Sequence, residues 1–154
     1  MMRLASRILA DNRGNSLIEM AIVAPVLGTL MIGAVDISRA YSAKLQVEQA
    51  AQRTIELIQR SEYKTADNST YQSVATTAAG TGSSATIDPW LECNNDGTKL
   101  DIDTGTCANS TDPYARYVQV TVQQPFTPMF GARFFPGAVN GVVTIRATAG
   151  VRVQ

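Results

Sequence analysis

The sequence predicts an α+β protein: one long amino-terminal helix, apolar in its first half and amphipathic in its second, followed by a small antiparallel β domain. Three observations predict it. From Leu17 to Val35, 19 residues carry a single charge, Glu19. From Ile37 to Ile58 apolar residues recur mostly at steps of three and four, the period of a helix with one buried side. Arg116–Gln123 and Val142–Val153 alternate apolar and polar residues, the period of a half-buried strand.

Residues 1–14 read as a short basic leader, with Arg3, Arg7 and Arg13 against Asp11. Arginines ahead of an apolar run favour a cytoplasmic amino terminus, with the chain beyond the run outside the membrane, in the periplasm. Residues 15–35 form the transmembrane half of the helix: Leu17–Val35 spans roughly 28 Å, close to the hydrocarbon core of a bilayer. The alternative is a buried helix of a soluble domain, but such a helix in a small chain keeps one side wet and this run has no polar side. A cleaved secretory signal would have a shorter apolar core and small residues at its end. Pro25 removes a backbone donor inside the span, so a kink or a locally melted turn is expected there. Ala21, Ala24 and Gly28 give one face of low relief.

Residues 36–60 continue as the amphipathic half, with Ile37, Tyr41, Leu45, Val47, Ala51, Ile55 and Ile58 on its apolar side. Asp36, Arg39, Lys44, Glu48, Gln52, Arg53, Glu56 and Arg60 are polar, and Glu56–Arg60 is an i,i+4 pair. Residues 61–154 form the small domain. A short helix is expected over Tyr71–Ala78, a strand over Ala85–Leu91 interrupted at Pro89, and the clearest strand over Arg116–Gln123, paired with Val142–Val153. Trp90 is expected to be a core or edge anchor. Phe126, Phe130, Phe134 and Phe135 are expected to plug one face of the sheet, the alternative being an exposed patch for a partner protein.

Cys93 and Cys107 bracket a polar stretch with little packing of its own. A disulfide closing a loop of this size contributes about 3 kcal/mol, and small exported domains use such support; two free thiols are the alternative. Charge is zero overall but unevenly spread. Residues 61–113 hold Lys64 and Lys99 against eight acids, and residues 114–154 hold four arginines and no acid. This split suggests that the acidic middle and the basic end face each other, within the fold or between subunits. The absence of histidine and the presence of only two cysteines remove most metal-site and histidine-based acid–base schemes. It has no glycine-rich phosphate loop and no calcium-loop spacing, so neither an enzyme nor a cofactor is expected. A neutral chain without a basic and aromatic patch is not read as binding nucleic acid.

The run Arg13-Gly14-Asn15-Ser16-Leu17-Ile18-Glu19-Met20-Ala21-Ile22-Val23-Ala24-Pro25, continued by Gly33-Ala34-Val35-Asp36-Ile37-Ser38-Arg39-Ala40-Tyr41, resembles the TadE-like family, the pseudopilin-type minor components of tight-adherence pilus systems. The resemblance covers the Arg-Gly start, the glutamate ahead of a proline-containing apolar span and a Gly-x-x-Asp-x-x-Arg stretch, with Met20 where an aromatic is usual. It implies a pilin-like architecture and a prepilin peptidase that cleaves after Gly14. Asn15 would then be the first mature residue and Glu19 the fifth. The implied function is a minor pseudopilin of a Tad/Flp pilus, a structural subunit for assembly or initiation and hence surface adhesion. Its partners would be the peptidase, other pilins and pseudopilins, the assembly platform and the lipid bilayer. The implied location is the bacterial inner membrane, with incorporation into an extracellular pilus as a further step. The alternative function is a membrane-anchored periplasmic module that recruits other secretion or pilus components.

Overall fold

The computed structural model of the chain describes residues 15–109, 111–130 and 137–153. The basic leader, Gly14, Phe134 and Phe135 lie outside the described residues. The element order is helix α1 (Asn15–Arg60), a 3₁₀ turn (Thr65–Asp67), helix α2 (Asn68–Ala79), and strands β1 (Ser84–Cys93), β2 (Tyr114–Phe126) and β3 (Val143–Arg152). The chain divides into two compact units, Met1–Ser38 and Arg39–Gln154.

The first unit contains the apolar half of α1. The helical assignment runs through Pro25 without a break, so the melted turn expected there is absent. A proline ring fixes φ near the helical value, and the hydrogen-bonded turns on both sides of Pro25 carry the helix across its missing N–H. Leu17, Ile18, Met20, Ile22, Leu30 and Met31 are all exposed. Among the described residues this is the one helix long and apolar enough to cross a membrane, and none of its most apolar window is buried. The chain is membrane-associated through this helix.

The second unit has its own core. In the amphipathic half of α1, Val47, Ala50, Ala51, Ile55 and Ile58 are buried, and with them Thr54, whose hydroxyl is satisfied by the Ala50 carbonyl at 2.9 Å. They meet Tyr71, Ala75 and Ala79 of α2 and Ile87, Val118, Val120, Val122, Ile145, Ala147 and Ala149 of the sheet. The expected stripe is corrected at its start: Ile37, Tyr41 and Leu45 are exposed, and Ala40 and Ala43 lean on the core instead. A stripe repeating every four residues drifts around a 3.6-residue helix, so the large apolar residues at 37, 41 and 45 leave the side that Val47 begins. Among the described residues, the i,i+4 ion pair seen on this half is Lys44–Glu48 at 3.2 Å, and Glu56–Arg60 is not among the pairs formed.

The sheet is antiparallel with order β1-β2-β3. In β2, Val118, Val120 and Val122 are fully buried and alternate with wetter Tyr117, Gln119, Thr121 and Gln123, as the period-2 pattern requires. β1 passes through Pro89, paired with Val118, without the expected interruption. β1 is an edge strand, and its neighbour Leu91 exchanges both main-chain bonds with Leu100 on the outer side, so Pro89 also turns its missing donor outward. Trp90 lies on the face opposite the helices, stacked on Tyr117 at 5.4 Å with the Lys99 ammonium 3.8 Å above it, and so is an edge anchor. Of the phenylalanines, Phe126 joins the core and carries the Arg39 guanidinium 5.6 Å from its ring, whereas Phe130 is half exposed.

Candidate functional site

The residues singled out for processing and assembly lie at the start of α1. Asn15 is the first helical residue, and Glu19 is four residues on, beyond the first turn, which contains no acid. Glu19 is exposed, as are Ala21, Ala24 and Pro25 beside it. Among the described residues, a Cβ added at Gly28 of the low-relief face, or at Gly33 further along, would meet nothing within 4 Å. Asp36 of the Gly-x-x-Asp-x-x-Arg stretch is buried, at 2% exposure, which a reading of it as a polar-side residue did not anticipate.

Cys93 and Cys107 form a disulfide, with Cα atoms 5.7 Å apart. It closes a lobe at the end of β1 whose acids are largely occupied by the lobe itself. Glu92 accepts from the Gly97 N–H, Asp96 from the Thr98 N–H, and Asp112 from the Asn109 amides. Asp101 accepts from the N–H groups of Asp103 and Thr104 and from the Thr104 hydroxyl. These bonds, the Thr104 N–H first, hold the Asp101 carboxyl below its ordinary range. Asp88 pairs with Lys99 at 3.2 Å. Asparagines at 94 and 95 take positive φ where the chain leaves β1, which their side chains tolerate better than most. Much of the acidic charge in the middle of the sequence thus stabilises turns.

A cleft of about 630 Å³ lies where α1 ends, between Tyr63, Glu62 and Lys64 on one side and Asp103, Arg116 and Arg152 on the other. Part of the acidic middle and part of the basic end therefore face the same cavity within one fold. Burial pushes the Tyr63 phenol up, and its hydroxyl donates to Asn68 at 2.8 Å. Neither the charge split nor any local motif marks this cleft in the sequence, because its walls come from four separate stretches. Among the described residues no group of three or more Asp, Glu, His or Cys side chains could hold a metal ion.

Residues 14–55 match the family model described as TadE-like protein. No curated protein and no solved structure matches the chain.

Proposed function

We propose that this chain, TadE-like over residues 14–55, serves a tight-adherence (Tad/Flp) pilus system as a non-enzymatic minor pseudopilin. Residues 15–35 hold it in the inner membrane, with residues 1–14 cytoplasmic and residues 61–154 periplasmic. The prepilin peptidase removes residues 1–14 after Gly14, and the mature chain then joins other pilins and pseudopilins at the assembly platform. One observation carries the reading: among the described residues the clustered core belongs to the second unit, while no residue in the most apolar window of α1 is buried. That surface is available first to lipid and then to neighbouring subunits.

Glu19 is the residue whose chemistry connects the two states. A lone carboxylate near the start of a lipid-facing helix is costly unless it stays at the interface or finds a cation. Cleavage after Gly14 creates one, the α-amino group of Asn15, in the same subunit or a neighbour's. Glycine at the cut lets a protease approach the backbone without a side chain in the way.

The test is amino-terminal sequencing of the protein recovered from membranes and sheared filaments, in cells with and without the peptidase. A start at Asn15 that depends on the peptidase supports the reading, and a chain that reaches filaments with Met1 intact overturns it. Glu19→Ala is expected to leave membrane insertion unchanged and to deplete the protein from filaments; normal co-assembly of that variant would remove the role given to Glu19. The cleft at the end of α1 favours a second reading, a permanently anchored module that recruits another periplasmic component. Membrane protein with Met1 intact and none in filaments would support that reading.

A further inference from the structure

We propose that Met129, Phe130 and the turn at Val139 form a lipid-contact site, which seats in the headgroup layer of the bilayer that holds the apolar half of α1. All three side chains are exposed, Met129 at 66% and Val139 at 70%. Phe126 and Pro128 are buried immediately before them, so Met129 and Phe130 leave directly from the packed end of β2. On the return, Val139 and Val142 exchange both main-chain hydrogen bonds, at 2.9 and 3.0 Å, around Asn140 and Gly141, both at positive φ. Asn-Gly is the preferred pair for such a two-residue turn, so the turn is fixed by its own backbone and Val139 stands exposed on it. In the sequence, residues 127–142 add Phe134 and Phe135, carry Arg133 as their one charge and hold no acid. Aromatic and aliphatic side chains without carboxylates suit the boundary between headgroups and acyl chains, where a carboxylate would have to give up water.

The position of these residues follows from contacts inside the second unit. Arg39 is the first residue of that unit, and its guanidinium lies 5.6 Å from the Phe126 ring. Val143 pairs with Phe126, and the Lys44 ammonium donates to the Arg146 carbonyl, so the start of β3 is at the same end. The disulfide lobe is at the other end. β1 runs from Ser84, opposite Gln123, to Cys93, opposite Tyr114, which is about 30 Å of strand. Asp103 of the lobe shares a cleft with Tyr63, beyond the end of α1. The acids of the lobe are thereby kept away from the end that carries Met129, Phe130 and Val139.

Chain connectivity keeps Arg39 close to the bilayer whatever the arrangement of the two units. Val35 ends the span read from the sequence, and Arg39 follows within at most about 14 Å even if the chain between them were extended. The headgroup layer itself fills roughly 5–7 Å of that distance. Exposed apolar patches mark sites for proteins or for membranes, and here the tether decides between them. A patch held this near a bilayer meets lipid at a high and constant effective concentration, whereas a protein partner has to diffuse to it. The proposal rests on residues 15–35 spanning the bilayer; it does not rest on cleavage after Gly14 or on entry into a filament.

The experiment uses the full chain in phosphatidylcholine vesicles whose acyl chains carry bromine, which quenches tryptophan on contact. In the native chain the control reporter is Trp90, stacked on Tyr117 and about 30 Å of strand from Phe126. It should not be quenched. With Trp90→Phe and Phe130→Trp in one chain, emission should shift to shorter wavelength and fall by about twofold or more relative to vesicles without bromine. Trp90→Phe combined with Val139→Trp is a second reporter with the same expectation, and Met129→Asp added to either should restore the emission. A chain that floats with the vesicles while both reporters stay unquenched overturns the proposal and leaves the span intact. A chain that does not float overturns the span and the proposal together. Equal quenching of Trp90 overturns the proposal by showing contact without preference for this end. A spectral shift without quenching that grows with protein concentration overturns it too, by assigning the patch to a second copy.

Discussion

Asp101 shows how much of the disulfide lobe depends on a few polar atoms. Its carboxylate gathers two N–H groups and one hydroxyl within 3.0 Å, and its carbonyl accepts from the Gly105 N–H. A Cβ at Gly105 would collide with that carbonyl oxygen, so the turn requires glycine. The folded carboxyl titrates below its unfolded value, so its contribution is present above the unfolded value and is lost as pH falls through the folded one. We expect the Thr104 amide resonance to move with a midpoint below the ordinary aspartate value of about 3.9, and the lobe to loosen over that same acid range. In Asp101→Asn both the titration and the acid dependence should vanish; an Asp101 midpoint at or above the ordinary value would remove this account. The acids were legible in the sequence only as a charge run. Their use as turn acceptors was not, because which N–H groups a carboxylate meets is decided by the fold.

The elements were legible where one period persists and nothing competes with it. A helix expected to about residue 60 ends at Arg60, the short helix near Tyr71 is Asn68–Ala79, β2 contains the alternating run Arg116–Gln123, and β3 fills all but the end residues of the run Val142–Val153. The misjudged features each involve a neighbour the sequence does not display. Pro89 is harmless only because β1 is an edge strand, and the stripe through Ile37, Tyr41 and Leu45 is dry only if something covers it. The side of α1 that does enter the core is fixed by small residues, Ala50 and Ala51, and by Thr54, a residue whose polarity hid its burial. Ile58 closes this row at 1% exposure among α2 and the sheet. Ile58→Ala should lower stability by about 2–5 kcal/mol, the range for removing a buried aliphatic side chain. Tyr41→Ala, at an exposed site on the same helix, should cost less than about 1 kcal/mol. Denaturant titration of both variants in detergent checks the contrast, and equal losses would mean that the two faces of α1 are assigned wrongly.

For the whole molecule, the division of labour between the two units makes the strongest claim. Every residue of the clustered core lies between Val47 and Ala149, and the residues leaning on it begin at Ala40. The disulfide lies within the same unit and adds about 3 kcal/mol on the chain-entropy estimate. Among the described residues, the clustered core of the second unit therefore draws on the half of α1 that the sequence reads as amphipathic. A fragment comprising residues 39–154, made in an oxidising compartment, should then be soluble without detergent and unfold in one cooperative transition with the Cys93–Cys107 bond formed. The full chain should partition into detergent. Circular dichroism, denaturant titration and thiol counting on the fragment measure each part. If the fragment aggregates or shows no cooperative transition, the apolar segment contributes to folding, and a function that reserves it for lipid and for neighbouring subunits loses its physical basis.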